Sequence, residues 1–519
     1  MLTDFDTVLL TPTVQDEMLG LPQNEMLERY YGRVNEYIYR GQCTDEIGAV
    51  QDPPLIGQSW IPDVTCDYKP SVHVRNKIKP LLNKQKRFMF GSSPDLLLKP
   101  LSNKDKKATE ELRQFIDKVL TKNDFWHDTM KAFLSASIKK RVLLRVEANI
   151  NQPITICYEP IENFHFECSK SSSKILEKVV MISQDLSTID CTDLDDQIWY
   201  RYIYTMNPET KTCWLETDTF IGISDIEKYT FTKVDTKLSK LPTWVIINAG
   251  VLGDIIGESD VNDLKGPQDA YNHRVSDFND ALRFQMFGET YIIDATEQSV
   301  NKAHIAPNAL VPLVSVSDTQ KASVQKAQSS FSSAVPVEAF LKGIDNDMHE
   351  IMSMPLPEDL KGLPSAKAMR YAYADLIARC EEKWHDWEPS IIELIQFIIE
   401  SCTTLDCYKE EWKTEWESLD YTIILKHNYP LPEDMSDDKD TAMKEVAGKT
   451  RSIHSYIKDF SDEEDVEGEY IQILDEQFQM ASAVQDQYTM GANGDLITDP
   501  NNNVVDTPIP SKNTTIPVE

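Results

Sequence analysis

The chain has 519 residues, 41% of them hydrophobic and 26% charged, enough apolar material for a sizeable core and a length of roughly three or four domains. Its 52 Lys+Arg against 85 Asp+Glu leave a net charge of −33. Such a surface repels nucleic acid and does not bind it by counterion release, so a protein of this charge that handles DNA does so without gripping it; solubility is the simpler use of the charge. Nine scattered cysteines read as free thiols of a reducing cytosol, not as a disulfide framework.

Met1-Leu2-Thr3-Asp4-Phe5-Asp6 lacks the basic start of a signal peptide. Asn24–Tyr39 has helical spacing through Leu27, Tyr30, Tyr31 and Val34, with Gly41 as its stop, and a Pro-rich connector follows through Pro53, Pro54 and Pro62. Ile78, Leu81, Leu82, Gln85, Phe88 and Met89 predict a helix that ends at Gly91, ahead of Pro94. Leu96–Leu98 is a short strand, and Glu110–Leu120 and Phe125–Ile138 are two helices. A β-rich middle follows: Arg141–Val146, Thr155–Tyr158, Val179–Ser183, Ile198–Tyr204, Thr212–Thr217, Tyr229–Lys233 and Trp244–Asn248. Turns such as Asn207-Pro208-Glu209-Thr210 make the sheet mainly antiparallel.

From Asp260 the pattern changes. Val261, Leu264, Tyr271, Val275, Phe278 and Leu282 keep helical spacing to about Phe287, with Gly266-Pro267 expected to kink or restart the helix. Thr290–Asp294 and Leu310–Val316 are strands, Ser317–Ser333 is poorly patterned, and Val337–Met352 is a second helix. The break Met354–Ser365 holds Pro355, Pro357, Gly362 and Pro364. A very long helix then runs from Ser365 with an apolar stripe from Met369 to Cys402, about 55 Å at 1.5 Å per residue, and Pro389 should kink it. Trp384 and Trp387 on that stripe fit helix packing better than an aromatic binding box. Ile391–Ile399 is too short to cross a bilayer. Tyr421–Leu425 is a strand, Asp440–Ala447 and Asp462–Met480 are helices, and the Asn/Asp/Gly/Pro/Thr-rich chain beyond Ala481 should be disordered.

Enzyme signatures are missing. No Gly-x4-Gly-Lys-Ser/Thr, His-Glu-x2-His or Gly-x-Ser-x-Gly occurs. Cys402 and Cys407 lack a matching Cys/His pair for zinc, Asp193, Asp195 and Asp196 read as a solvated hairpin tip, and Asp462–Asp465 reads as the acidic first turn of a helix. No catalytic, metal or cofactor site is predicted.

Several blocks resemble a known family. These are Asn83–Pro94; Leu241–Asn248 with Gly257–Asp260; Ala270–Asp280; Ser365–Arg370, where Ala366 stands in place of the family's glycine; and His427–Pro432 with Lys449–Ser455. Their order and spacing over about residues 75–480 resemble the portal proteins of tailed bacteriophages, of the siphovirus-like kind from Gram-positive hosts. The resemblance implies an α+β portal fold: an N-terminal arm (1–58), an α/β wing (59–259 and 403–435), stem helices (260–287 and 336–353), a small clip (288–335), a tunnel loop (354–364), a long kinked helix (365–402), a helical crown (436–480) and a disordered tail (481–519). It implies a closed ring, usually of twelve, at one capsid vertex of the virion after assembly in the host cytoplasm. Double-stranded DNA would pass through it without sequence preference. Terminase large subunit, head-to-tail adaptor, major capsid and scaffolding proteins would be its partners, with no membrane, no cofactor and no catalysis.

Within that scheme the loop residues Pro355, Pro357, Glu358, Asp359, Lys361, Gly362 and Pro364 would face the channel, with Lys361 the candidate phosphate contact. Tyr291, Ile292, Ile293, Leu310, Val311 and Val314 would form clip strands that pair between subunits. A non-channel capsid or adaptor component, or a carboxylate-dependent hydrolase, are the alternative readings.

Overall fold

The computed structural model describes residues 14–41, 71, 73–189, 196–222, 227–248, 250–251, 253–287, 289–298, 313–317, 319, 321–327, 334–361, 366–431, 435–460 and 466–492. The chain falls into two compact units, one of residues 1–364 with 368–431 and one of 432–519 with 365–367.

The first unit begins with helices α1 (Val14–Leu19) and α2 (Gln23–Arg40). Gly41 ends α2 at φ 75°, a left-handed conformation that glycine adopts without cost, and its N–H bonds Ile38 O. Helix α2 is bound to the body by buried polar contacts. Arg29 donates to the carbonyls of Glu162 (2.9 Å) and Phe164 (2.5 Å), and Glu25 pairs with the fully buried Arg141. Helices α3 (Ile78–Phe90), α4 (Lys106–Lys122) and α5 (Phe125–Lys139) follow, with strand β1 (Asp95–Pro100) between the first two.

The β-rich middle forms two antiparallel sheets. Strands β2 (Arg141–Glu147), β3 (Thr155–Pro160) and β9 (Thr243–Ile247) pair in the order β3-β2-β9. Strands β4 (Phe164–Ser169), β5 (Ser172–Gln184), β6 (Ile198–Met206), β7 (Cys213–Ile221) and β8 (Glu227–Asp235) form a meander in sequence order. The antiparallel expectation holds throughout; β4 was not anticipated, because its Phe-His-Phe-Glu-Cys-Ser alternation is short and half-polar. A small second core joins Met18 and Leu19 of α1 to Val180, Ile182, Trp199 and Phe220 of the five-stranded sheet.

Helix α6 (Asp260–Phe287) runs unbroken through Pro267, β10 (Glu289–Ile293) and β11 (Ser323–Ala327) form a hairpin, and α7 (Ala334–Ile351) follows. The expected single long helix is two: α8 (Ala366–Ala372) and α9 (Ala374–Thr404). The interruption is one residue, Tyr373, whose ring stacks on Phe88 at 5.5 Å, while Ile377 N–H still bonds Tyr373 O. Strand β12 (Tyr421–Lys426) returns to pair antiparallel with β1.

The main core lies where α9 crosses β9 and α5. Trp387 is 1% exposed and sits against Phe90 (5.4 Å), Phe133 (5.8 Å) and Tyr158 (6.2 Å), so it is a packing residue, as its helical spacing suggests. Trp384 stacks on His427 at 4.8 Å. His427 Nε2 lies 2.5 Å from Met89 O, and burial pushes the imidazole below its ordinary range despite that bond. A group whose folded pKa is depressed contributes stability that is complete above its unfolded value, about 6.5, and is lost as pH falls through the folded one. The wild-type chain is therefore expected to lose stability on acidification below about pH 6.5 more steeply than His427→Phe, a difference that urea melts at pH 7.5 and 5.5 measure.

The second unit contains α10 (Met435–Ala447), α11 (Ile453–Phe460) and α12 (Val466–Ala492). Arg451 ties its turns together through Glu445 at 3.3 Å and through Asp459. Helix α12 overruns the expected end at Met480, because Ala481–Ala492 holds several Ala and Gln and a Met, which favour helix whether or not they find a core. The rest of the expected disordered tail, and Asp462–Asp465, lie outside the described residues.

Candidate functional site: the α6–α7 helix pair, its clasp and its loop

Helices α6 and α7 pack on each other, with Tyr271, Val275, Ile344, Met348 and Met352 in the common core. Their direction is fixed at one end by α9. Arg379 donates from Nη2 to Asp260 Oδ1 (3.2 Å) at the start of α6, and from Nη1 to Ile351 O (2.9 Å) at the end of α7. The start of one helix and the end of the other therefore meet at one side chain, and the pair runs antiparallel with the β10–β11 insert at the far end.

Asp260 is the centre of this junction. Lys383 Nζ donates to Asp260 Oδ2 at 2.6 Å and to Asn248 Oδ1 at 2.8 Å, and Asp260 and Lys383 are 6% and 4% exposed. The Gln85 amide, with its nitrogen toward Asp260 Oδ2 (3.2 Å) and its oxygen toward Arg379 Nε (3.2 Å), brings in α3. Burial alone would raise the Asp260 carboxyl, but Lys383 and Arg379 outweigh it and hold it below the ordinary range. Just upstream, Gly257 at φ 83° turns the chain into α6; a Cβ there would sit 2.7 Å from the Ile247 side chain and 2.8 Å from Lys140 O.

A second device runs along α6. Residues 71–77 lie beside the helix, and every second backbone N–H of the segment meets a side chain four residues further back along the helix. Ser71 N–H donates to Asp280 (3.0 Å), His73 N–H to Ser276 Oγ (3.0 Å), Arg75 N–H to Asn272 Oδ1 (3.0 Å) and Lys77 N–H to Gln268 Oε1 (2.7 Å). Gln268 Nε2 returns a bond to Arg75 O at 2.9 Å. The spacing works because two residues of extended chain advance about 6.6 Å and four of helix about 6.0 Å. The four helix side chains are all buried. The next step along the helix is Leu264, which has no acceptor, so the ladder cannot slide that way and keep its bonds.

This clasp was missed when α6 was read from its apolar positions alone. Its signal was present as Gln268, Asn272, Ser276 and Asp280, polar residues at a strict spacing of four, three of them within the Ala270–Asp280 block.

The loop after α7 begins with a helix stop. Ser353, at φ 53°, donates to Glu350 O (2.9 Å) and Met354 N–H to His349 O (2.8 Å), the paired bonds of a Schellman turn. Pro355 is buried with Met352 and Met354, so it anchors the loop; Pro357, Glu358, Asp359 and Lys361 are exposed. Two tight turns shape the tip, Asp359 N–H to Leu356 O and Lys361 N–H to Glu358 O. Lys342 of α7 pairs with Glu358 at 2.7 Å and holds that carboxylate below its ordinary range, a contact that reading the loop alone could not supply. Gly362 and Pro364 lie outside the described residues.

In the insert, Tyr291, Ile292 and Ile293 lie on β10, but their partner is Ser323–Ala327, within the stretch read as unpatterned. Val314 O accepts from Thr296 N–H at 3.0 Å, beside a bridge between Ala295 and Ser315, while Leu310 and Val311 lie outside the described residues. Ile293, Val314, Val316 and Val324 expose 40–61% of their surface. Pro389 lies inside α9, where its ring removes one helix hydrogen bond. Among the described residues no three His, Cys, Asp or Glu side chains converge on a metal site, and no helix is long and apolar enough to cross a membrane.

A long antiparallel helix pair, locked to a β-rich body at one end and carrying a small β insert at the other, defines a structural subunit with a helical shaft. A model of the phage portal protein family, SPP1 Gp6-like, matches residues 17–483, and the chain belongs to that family. Portal function, an α+β portal fold and a place in the phage particle follow from that membership. No curated protein matches the chain. One similar solved structure is described as "Neck of native GTA particle computed with C12 symmetry", with 10% identity and a TM-score of 0.36, covering 74% of this chain and 90% of that one.

Proposed function

We propose that the subunit closes into a ring of twelve at one capsid vertex and forms the channel through which double-stranded DNA enters and leaves the head. The family match over residues 17–483 carries the reading, and the antiparallel helix pair supports it. Helices α6 and α7 are the stem, the insert between them is the clip, and residues 354–364 are the tunnel loop. Residues 59–259 and 403–435 are the wing, α8 and α9 form the long helix bent at Pro389, and 436–480 is the crown. The ring does not hydrolyse ATP; a separate terminase does, and it docks on the clip before the head-to-tail adaptor takes the same place. Major capsid and scaffolding proteins surround the ring during assembly in the host cytoplasm.

The charge balance suits a passage. DNA carries one negative charge per about 1.7 Å of axis, so a channel built from subunits whose whole-chain net charge is −33 repels it and lets it slide. In the loop Lys361 is the candidate phosphate contact, because Glu358 is already held by Lys342. The exposed Ile293, Val314, Val316 and Val324 give the clip apolar surface to bury against neighbouring subunits.

Native mass spectrometry with negative-stain images of the purified chain tests the reading. A closed ring with an axial hole is expected. A chain that stays monomeric or dimeric at every concentration and salt would overturn it in favour of a non-channel particle component.

A further inference from the structure

Helix α3 is an anomaly in an acidic protein. It contains Lys79, Lys84, Lys86 and Arg87 and not one acidic residue, in a chain with 85 acids against 52 cations. Lys79 and Arg87 are exposed and Lys84 and Lys86 half-buried, while the core takes Ile78, Leu81, Leu82, Gln85, Phe88, Met89 and, at the helix end, Phe90. Among the described residues none of the four has a carboxylate partner, unlike Arg113 with Glu110 (2.6 Å), Lys118 with Glu411 (2.6 Å) and Lys131 with Asp128 (2.9 Å) on the neighbouring helices. Lys106 and Lys122 of α4 have none among the described residues either, but α4 carries Glu110, Glu111 and Asp117 beside its cations, whereas α3 carries no acid at all. Two of them lean on aromatic rings instead, Lys79 over Tyr39 at 5.9 Å and Lys84 over Tyr373 at 5.5 Å. Lys84 and Lys86 are only partly exposed, and burial lowers both below the ordinary lysine range with no counter-charge to oppose it.

A cation cluster with two half-buried members, Lys84 and Lys86, and no carboxylate partner among the described residues is stabilised once an acidic surface covers it. We propose that this face of α3 is a contact between subunits of the ring, and that it docks on the acid-rich surface of a second copy of the chain. The occupant follows from charge. A cyclic ring joins two different faces of the same subunit, so each copy must supply the complement of its own patch. Bringing copies of net charge −33 together is opposed by repulsion, and a concentrated cation cluster at the contact offsets it. A DNA path is the poorer occupant, because a cluster repeated in every subunit would hold the phosphates that must slide. The inference rests on the portal reading and deepens it.

The test compares the full-length wild-type chain with Lys79→Glu/Lys86→Glu/Arg87→Glu by native mass spectrometry at low and high salt, with circular dichroism as the check on folding. The variant is expected to fold as wild type does and to associate at least about tenfold more weakly at low salt, and the gap between the two should narrow as salt screens the contact. Carbodiimide cross-linking of rings mixed from light and heavy isotope subunits is expected to join Lys79 or Lys86 of one copy to carboxylates of the next. If the triple reversal fails to fold, the cross-links and the corresponding Gln variants decide. Variant rings as stable as wild type, or rings without such cross-links, overturn the proposal. Normal variant rings that retain DNA less well would overturn it too and give the face to DNA. A wild-type chain that never forms a ring overturns the portal reading first, which keeps the two failures distinct.

Discussion

Lys383→Ala is expected to destabilise the first unit by about 3–5 kcal/mol, the cost of leaving a buried charge without its main partner. The Lys383 ammonium and the Asp260 carboxylate meet at 2.6 Å, both almost fully buried, and the substitution removes the partner that also holds Asn248. Arg379 remains, but its Nη2 contact is longer at 3.2 Å, and the same guanidinium is committed to Ile351 O. The loss falls on the point where the start of α6 and the end of α7 are tied to α9, so the helix pair loses its shared anchor. Urea unfolding at pH 7 measures the effect, with Lys361→Ala, an exposed loop change expected within about 0.5 kcal/mol, as the control. A loss below about 1 kcal/mol for Lys383→Ala would mean that water reaches the cluster. The pH dependence has a definite sign. The folded Asp260 carboxyl is held below its unfolded value of about 3.9, so its contribution is complete above that value and disappears only as pH falls through the lower folded one. Neutral to mildly acidic solution should leave this junction intact, in contrast to His427.

Gln268→Ala with Asn272→Ala is the second large effect, about 2–6 kcal/mol. The pair leaves the part-buried backbone N–H groups of Arg75 and Lys77 without their acceptors, each worth about 1–3 kcal/mol where water does not replace them, and removes the return bond to Arg75 O. Hydrogen exchange of the Arg75 and Lys77 amides reads the outcome directly. Both are expected to exchange much faster in the double variant, while amides of α5 stay protected. Unchanged protection at Arg75 and Lys77 would show that packing, not the ladder, holds the segment. For a portal the consequence is mechanical. The clasp sets where α6 lies along the segment leading into α3, and through α3 relative to α5 and the β-rich body, so a loosened clasp should weaken that coupling before it unfolds the body.

What the sequence determined by itself is whatever depends on neighbours within a few residues. Apolar spacing gave α2, α3, α4, α5, α6, α7 and most strands, and Gly41 and Gly91 marked helix ends, Gly41 through the left-handed turn that glycine adopts without cost and Gly91 with a right-handed backbone. Trp384 and Trp387 were readable as packing residues from their place on one stripe. The ordered blocks between residues 75 and 480 carried the family, which the match over 17–483 shows. The tertiary structure decided what depends on distant partners. No local signal pairs β1 with β12 more than 300 residues away, or β10 with the poorly patterned Ser323–Ala327. Nor does one announce that Asp260, Lys383 and Arg379 will share a buried junction, or that Lys342 will hold Glu358. The polar residues of the clasp lie between these cases. Their spacing of four is visible in the chain, but burial of Gln268 and Asn272 is tolerable only because the segment 71–77 arrives with matching donors, and only the folded chain brings it there.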